Sequence, residues 1–115
     1  MTVWGLKTCD TCRKALTWLA SQGIAHSVKD LRGDGLPADE LDRWIGAVGW
    51  EVLLNKSSTT WRNLPDADKQ DLDGDRARAL LAANPTLIKR PVFVAGDKVI
   101  VGFRDAQKKA LAAHR

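Results

Sequence analysis

Two cysteines, Cys9 and Cys12, stand three positions apart in the stretch KTCDTCRK, and the chain holds no others. Thiols at that spacing serve as half of a metal site, a structural crosslink, a pair of inert core residues or a working redox pair. A structural zinc takes four protein ligands, and only His26 and His114 are on hand as histidines to complete a set, one in an expected strand and one at the chain end. We assign no metal ligand. A disulfide closing so short a loop removes little entropy from the unfolded chain. Cys12 continues an apolar stripe with Ala15, Leu16 and Leu19, so a buried, unreactive role for it stays open.

The redox reading draws on position. Cys9 falls at the start of an expected helix, where unpaired backbone N–H groups and the helix dipole favour a negative sulfur. Arg13 and Lys14 add positive charge and Asp10 opposes them. A free thiol with a pKa of about 8.5 is only about 3% ionised at pH 7. Helix-end effects of up to ~2 kcal/mol lower that pKa by about one unit, which multiplies the attacking species several-fold. Cys9 is therefore the candidate nucleophile, and Cys12, one helical turn further on, the candidate resolving thiol.

The elements that must hold this pair are legible around it. Val3 and Trp4 favour a strand over Thr2–Gly5, and the apolar positions from Cys12 to Leu19 recur at helical spacing, with Gly23 as the stop. Ile24 to Leu31 alternates loosely and is expected to be a second strand, which makes the start a parallel βαβ unit. Pro37 opens a helix with Leu41, Trp44, Ile45 and Val48 on one face, ending at Gly49. Residues 51 to 63 are expected to form a short helical turn followed by a loop, and Ala67 to Asn84 one or two more helices. Val92 to Ala95 and Lys98 to Val101, joined at Gly96–Asp97, form an expected hairpin, with a closing helix over Asp105–Ala113.

A chain of 115 residues, 44% of them hydrophobic, fits one domain over 1–115, with a helical insertion over roughly 37–86. Eighteen basic and 14 acidic residues give a net charge of +4, scattered along the sequence. That balance suits small anions better than nucleic acid, and no direct nucleic-acid partner is expected. The start MTVWGLK is no secretory signal and no apolar run spans a bilayer, so the expected setting is cytoplasmic, with no membrane partner. Cysteines kept in a reducing compartment are more often catalytic or metal-binding than crosslinked.

The stretches TCDTCRKALTWL, GWEVLLNKSSTTWRNL and LIKRPVFV, in that order, resemble the arsenate reductase-like ArsC/Spx family over nearly the whole chain. Within it, the opening CDT, the GW-x-x-LLN and TTWR segments, IKRP and the closing VGF are most similar to the YffB branch. The resemblance implies an α/β thioredoxin-like, glutaredoxin-like mixed sheet of about four strands. It implies a thiol–disulfide oxidoreductase, a glutathione-dependent thiol reductase with Cys9 as catalytic cysteine and Cys12 beside it. Arg90, Pro91 (as a cis-proline), Arg13 and Asn55 would form the anion- or glutathione-binding set. The co-substrate would be glutathione, no cofactor would be tightly bound, and glutaredoxin is a candidate partner. Arsenate reductases of the family carry three arginines for the oxyanion, and here Asn55 and Gly102 stand at two of those places. Losing two charged hydrogen bonds, each worth ~1.5–3 kcal/mol, weakens arsenate binding by several powers of ten. The pair Cys9 and Cys12 with Arg13 is also similar to the redox switch of Spx regulators, which bind RNA polymerase. Of the five tryptophans, Trp61 in the polar TTWR segment is the candidate ligand wall.

Overall fold

The computed structural model describes residues 1–114. They group into two compact units, one of residues 1–35 with 90–114, the other of residues 36–89.

The first unit is built on a four-stranded sheet in the order β2-β1-β3-β4. Strand β1 (Thr2–Gly5) is followed by helix α1 (Asp10–Ser21) and strand β2 (Ser27–Asp30), which lies parallel to β1 with Val3 opposite Val28. Strand β3 (Val92–Ala95) enters antiparallel on the other side of β1, with Phe93 opposite Val3. Strand β4 (Lys98–Val101) turns back on β3 through Gly96–Asp97, where Gly96 takes a φ of 58°, a conformation that favours glycine. Period-two alternation puts Val3, Phe93 and Ile100 on one face, and there they meet Ala15 and Leu19 of α1 and Leu111 of the C-terminal helix, here called α7 (Asp105–Ala112). Val3, Ala15, Leu19, Phe93 and Leu111 are each no more than 1% exposed. Trp18 and Phe103 close this core edge to face, ring centroids 5.7 Å apart.

The second strand is shorter than its sequence alternation suggests. Ile24 donates its N–H back to Leu19 O (3.0 Å), closing the end of α1, and the His26 ring Nδ1 bonds Ile24 O (2.8 Å), so residues 24–26 link α1 to β2 without joining the ladder.

The second unit is helical: α2 (Ala38–Val48), α3 (Trp50–Leu53), α4 (Thr59–Asn63), α5 (Asp66–Lys69) and α6 (Gly74–Ala83), then a 3₁₀ turn over Pro85–Leu87. Leu41, Trp44, Leu53, Ala77, Leu81, Leu87 and Ile88 are buried in it. An Arg78–Asp42 ion pair links α6 to α2. The segment expected as a loop contains α4, because Ser58 Oγ accepts the Trp61 N–H (3.1 Å) and so caps a helical turn that has no apolar period. No helix among the described residues is long and apolar enough to cross a membrane.

Candidate functional site

The first unit brings Cys9, Cys12, Arg90 and Pro91 together at one end of the sheet. Cys9 is the N-cap of α1, with extended backbone (φ −89°, ψ 116°). Its carbonyl accepts the Arg13 N–H (3.1 Å) and its own N–H donates to Leu6 O (3.1 Å), which pins the sulfur at the first turn of the helix. Cys12 sits one turn later on the inward side and is 4% exposed, whereas Cys9 is half-buried. Both are free thiols.

Arg90 and Pro91 arrive from the far end of the chain because β3 pairs directly with β1. The Arg90–Pro91 peptide is cis, and Pro91 O accepts the Gly102 N–H (2.9 Å), tying the head of β3 to the end of β4.

These surroundings make the two sulfurs unequal. Partial burial opposes ionisation of Cys9, but the Cys12 backbone N–H, the Cys12 thiol, and a hydrogen bond and positive charge from Arg90 outweigh it and hold the Cys9 pKa below the ordinary thiol value. No conventional side-chain hydrogen bond caps α1. The Cys12 N–H nonetheless faces the Cys9 sulfur and favours its anion. For Cys12, burial dominates. Against the relief given by the Leu6 N–H and with the adjacent Cys9 sulfur opposing a second negative charge, its pKa is pushed up to about 12. One sulfur is set to be an anion and its neighbour a protonated donor.

The loop between β1 and α1 is anchored from the end of β2. Asp30 Oδ2 accepts the Lys7 N–H (3.1 Å), while Oδ1 accepts those of Arg32 (2.8 Å) and Gly33 (2.7 Å). Leu31 N–H bonds Gly5 O (2.9 Å) on the same path. Sequence reading alone does not single out Asp30, although an aspartate followed by a glycine three residues later is a recognisable turn signal. Beside Cys12 a cavity of about 420 Å³ opens between α1 and β2, with Val3, Leu6, Leu16 and Val28 in its lining.

The remaining expected residues lie elsewhere. Arg13 is paired with Asp10 on the exposed side of α1, so the cation that acts on Cys9 is Arg90. Asn55 belongs to the second unit, where its Oδ1 accepts the Ser57 N–H (3.0 Å) and its own N–H bonds Leu87 O (2.8 Å). Trp61, also there, is flanked by Lys56 and Lys69, whose Nζ atoms stand 5.7 and 5.5 Å from its ring centroid. His114 lines a separate pocket with Met1, Ile24 and Ala95, at the end of the sheet away from the cysteines. Among the described residues no three His, Cys, Asp or Glu side chains cluster as metal ligands would.

A central strand leading into a cysteine-capped helix, beside an antiparallel hairpin headed by a cis-proline, in the order β2-β1-β3-β4, defines a thioredoxin-like fold. The chain belongs to the ArsC family, whose model matches residues 4–111. An uncharacterised protein of Haemophilus influenzae is 47% identical over 113 residues, covering 98% of this chain and 99% of that one. The solved structure of the YFFB protein superposes with a TM-score of 0.90 at 38% identity, covering 99% and 98% of the two chains. A global transcriptional regulator, Spx 2 of Lactococcus lactis, is 24% identical over 112 residues, 96% of this chain and 84% of its own. The family thus holds arsenate reductase-like proteins and Spx-like regulators.

Proposed function

We propose that the chain is a thiol–disulfide oxidoreductase with Cys9 as nucleophile, acting in the cytoplasm with glutathione as co-substrate and without a tightly bound cofactor. The observation that carries this reading is the contrast between the two sulfurs: Cys9 is surrounded by groups that favour its anion, while Cys12 is buried with its pKa pushed up to about 12. In the first step the Cys9 thiolate attacks one sulfur of a substrate disulfide. A Cys9–S–S bond forms, the substrate S–S bond breaks, and the departing thiolate takes a proton from water. In the second, a glutathione thiolate attacks the mixed disulfide, restoring Cys9 and carrying the oxidising equivalents away as the product disulfide. Arg90, a permanently charged forked donor beside Cys9, would hold the carboxylate of glutathione or a small anionic substrate.

Burial and the adjacent Cys9 sulfur hold Cys12 protonated in the resting protein at neutral pH, which disfavours it as the resolving group. Once Cys9 is in a mixed disulfide its charge is gone, and one of the causes that hold Cys12 protonated goes with it. Mass spectrometry after treatment with glutathione disulfide separates the routes. Glutathione retained on Cys9 supports resolution by external thiol, and an internal Cys9–Cys12 disulfide supports resolution by Cys12. If neither forms and both cysteines alkylate slowly and equally, the oxidoreductase reading is lost.

A second reading has its own support in the contact between the Cys12 thiol and the Cys9 sulfur and in the likeness to Spx regulators. It takes the pair as a switch in a protein that binds RNA polymerase without turnover. Polymerase capture that depends on the oxidation state of the pair, with no reductase activity, would favour it. Arsenate reduction through glutaredoxin is the weakest reading, since Asn55 and Gly102 stand where two oxyanion arginines are expected. Arsenate-dependent consumption of NADPH in a coupled glutaredoxin assay would revive it.

A further inference from the structure

Strand β1 ends on a glycine whose presence its backbone does not require. Gly5 is not among the glycines with positive φ, so alanine would be compatible with its conformation, and it pairs in register with Asp30 inside a regular parallel ladder. Glycine at such a position weakens a strand relative to alanine and commonly marks a close approach by another group. Here that group is Cys12. A Cβ added to Gly5 would lie 2.6 Å from Cys12 Sγ and 3.2 Å from Cys12 Cβ, well inside contact distance. The next residue completes the seat, because the Leu6 N–H is directed at the same sulfur. The Cys12 sulfur thus rests on the Gly5–Leu6 peptide, and from there its thiol faces Cys9.

We propose that Gly5 is a positioning residue for the thiol pair: its missing Cβ leaves the space in which the Cys12 sulfur lies against the β1 backbone and presents its S–H to Cys9. A methyl group at Gly5 forces the sulfur to rotate away. The 3.2 Å contact with Cys12 Cβ means that rotation alone does not relieve the crowding, so the first turn of α1 shifts by tenths of an ångström as well. Either movement takes the donor from Cys9.

This inference rests on the thiol chemistry proposed for Cys9, and one set of measurements tests the two separately. The rate of Cys9 alkylation by iodoacetamide is followed against pH in the wild type, Gly5→Ala, Cys12→Ala and the double variant, with Cys9 modification read by mass spectrometry. A wild-type Cys9 that titrates like a free thiol overturns the functional reading itself. Given a depressed wild-type midpoint, Gly5→Ala is expected to raise it by roughly half a unit to one unit, as loss of a single thiol donor would. In the Cys12→Ala background, where only the milder Cβ contact remains, the same substitution is expected to move the midpoint much less. An unchanged midpoint in folded Gly5→Ala overturns the inference, and so does an equal shift with and without the Cys12 sulfur. Should Gly5→Ala fail to fold, thermal melting decides: recovery in the Gly5→Ala/Cys12→Ala double variant supports the inference, and no recovery overturns it.

Discussion

Replacing Arg90 with methionine removes the charge and the hydrogen bond from the Cys9 sulfur while keeping a side chain of similar length. A hydrogen bond to a charged group is worth about 1.5–3 kcal/mol, which at 1.36 kcal/mol per unit is a rise of about one to two pKa units for the thiol. Cys9 is half-buried, so solvent screens part of that, and a rise of about one unit is expected. Below both midpoints the thiolate population then falls about tenfold, while each remaining thiolate, being more basic, attacks about threefold faster. The net loss is about threefold at low pH, turning into a gain of about threefold once both proteins are fully ionised. Alkylation rates against pH should therefore cross between wild type and Arg90→Met. Arg90→Lys, which keeps the charge without the planar fork, should fall between them. Curves that share a midpoint, or that drop in parallel at every pH, would refute the reasoning, the first by denying Arg90 any hold on the sulfur and the second by showing only structural damage.

Burial and the neighbouring Cys9 raise the Cys12 pKa in the folded protein, so its contribution to stability is complete below the unfolded thiol value of about 8.5 and is lost as pH climbs towards about 12. Urea midpoints should accordingly fall across that alkaline window in the wild type and fall less in Cys12→Ala. Leu19→Ala empties a fully buried position between α1 and the sheet and should cost about 2–5 kcal/mol by urea denaturation, a cost under ~1 kcal/mol contradicting the packing described. Asp30→Ala removes the acceptor shared by Lys7, Arg32 and Gly33, and hydrogen exchange at those three amides should quicken several-fold while Val3 and Phe93 stay protected.

Legibility followed the range of the interactions. Strand β1, helix α1 and the β3–β4 hairpin could be read because a few consecutive residues decide them: Val3 and Trp4, the stripe from Cys12 to Leu19, and Gly96–Asp97 between two β-branched runs. The helix over Thr59–Asn63 escaped because its cause is a single serine hydroxyl and not a period. The early residues of the expected second strand failed for a similar reason, since Ile24 spends its N–H on closing α1. The unequal sulfurs were half visible. A helix start at Cys9 follows from local pattern, but the cation came from nearby in the sequence, Arg13, on local grounds, and from Arg90 only by family resemblance. No local rule states that β3 inserts beside β1, and that pairing is what delivers Arg90 to Cys9. Gly5 shows the same limit at a smaller scale: a strand-ending glycine is visible in the sequence, the sulfur that needs it is not.

The pairing of β1 with β3 also sets when the surroundings of Cys9 are complete. During synthesis Cys9 leaves the ribosome long before Arg90, and until residues 90–95 have been made and paired onto β1 its sulfur lacks the hydrogen bond and charge that Arg90 supplies. The full acidity of the Cys9 thiol therefore draws on both ends of the chain, the helix start that follows β1 and the arginine that precedes β3.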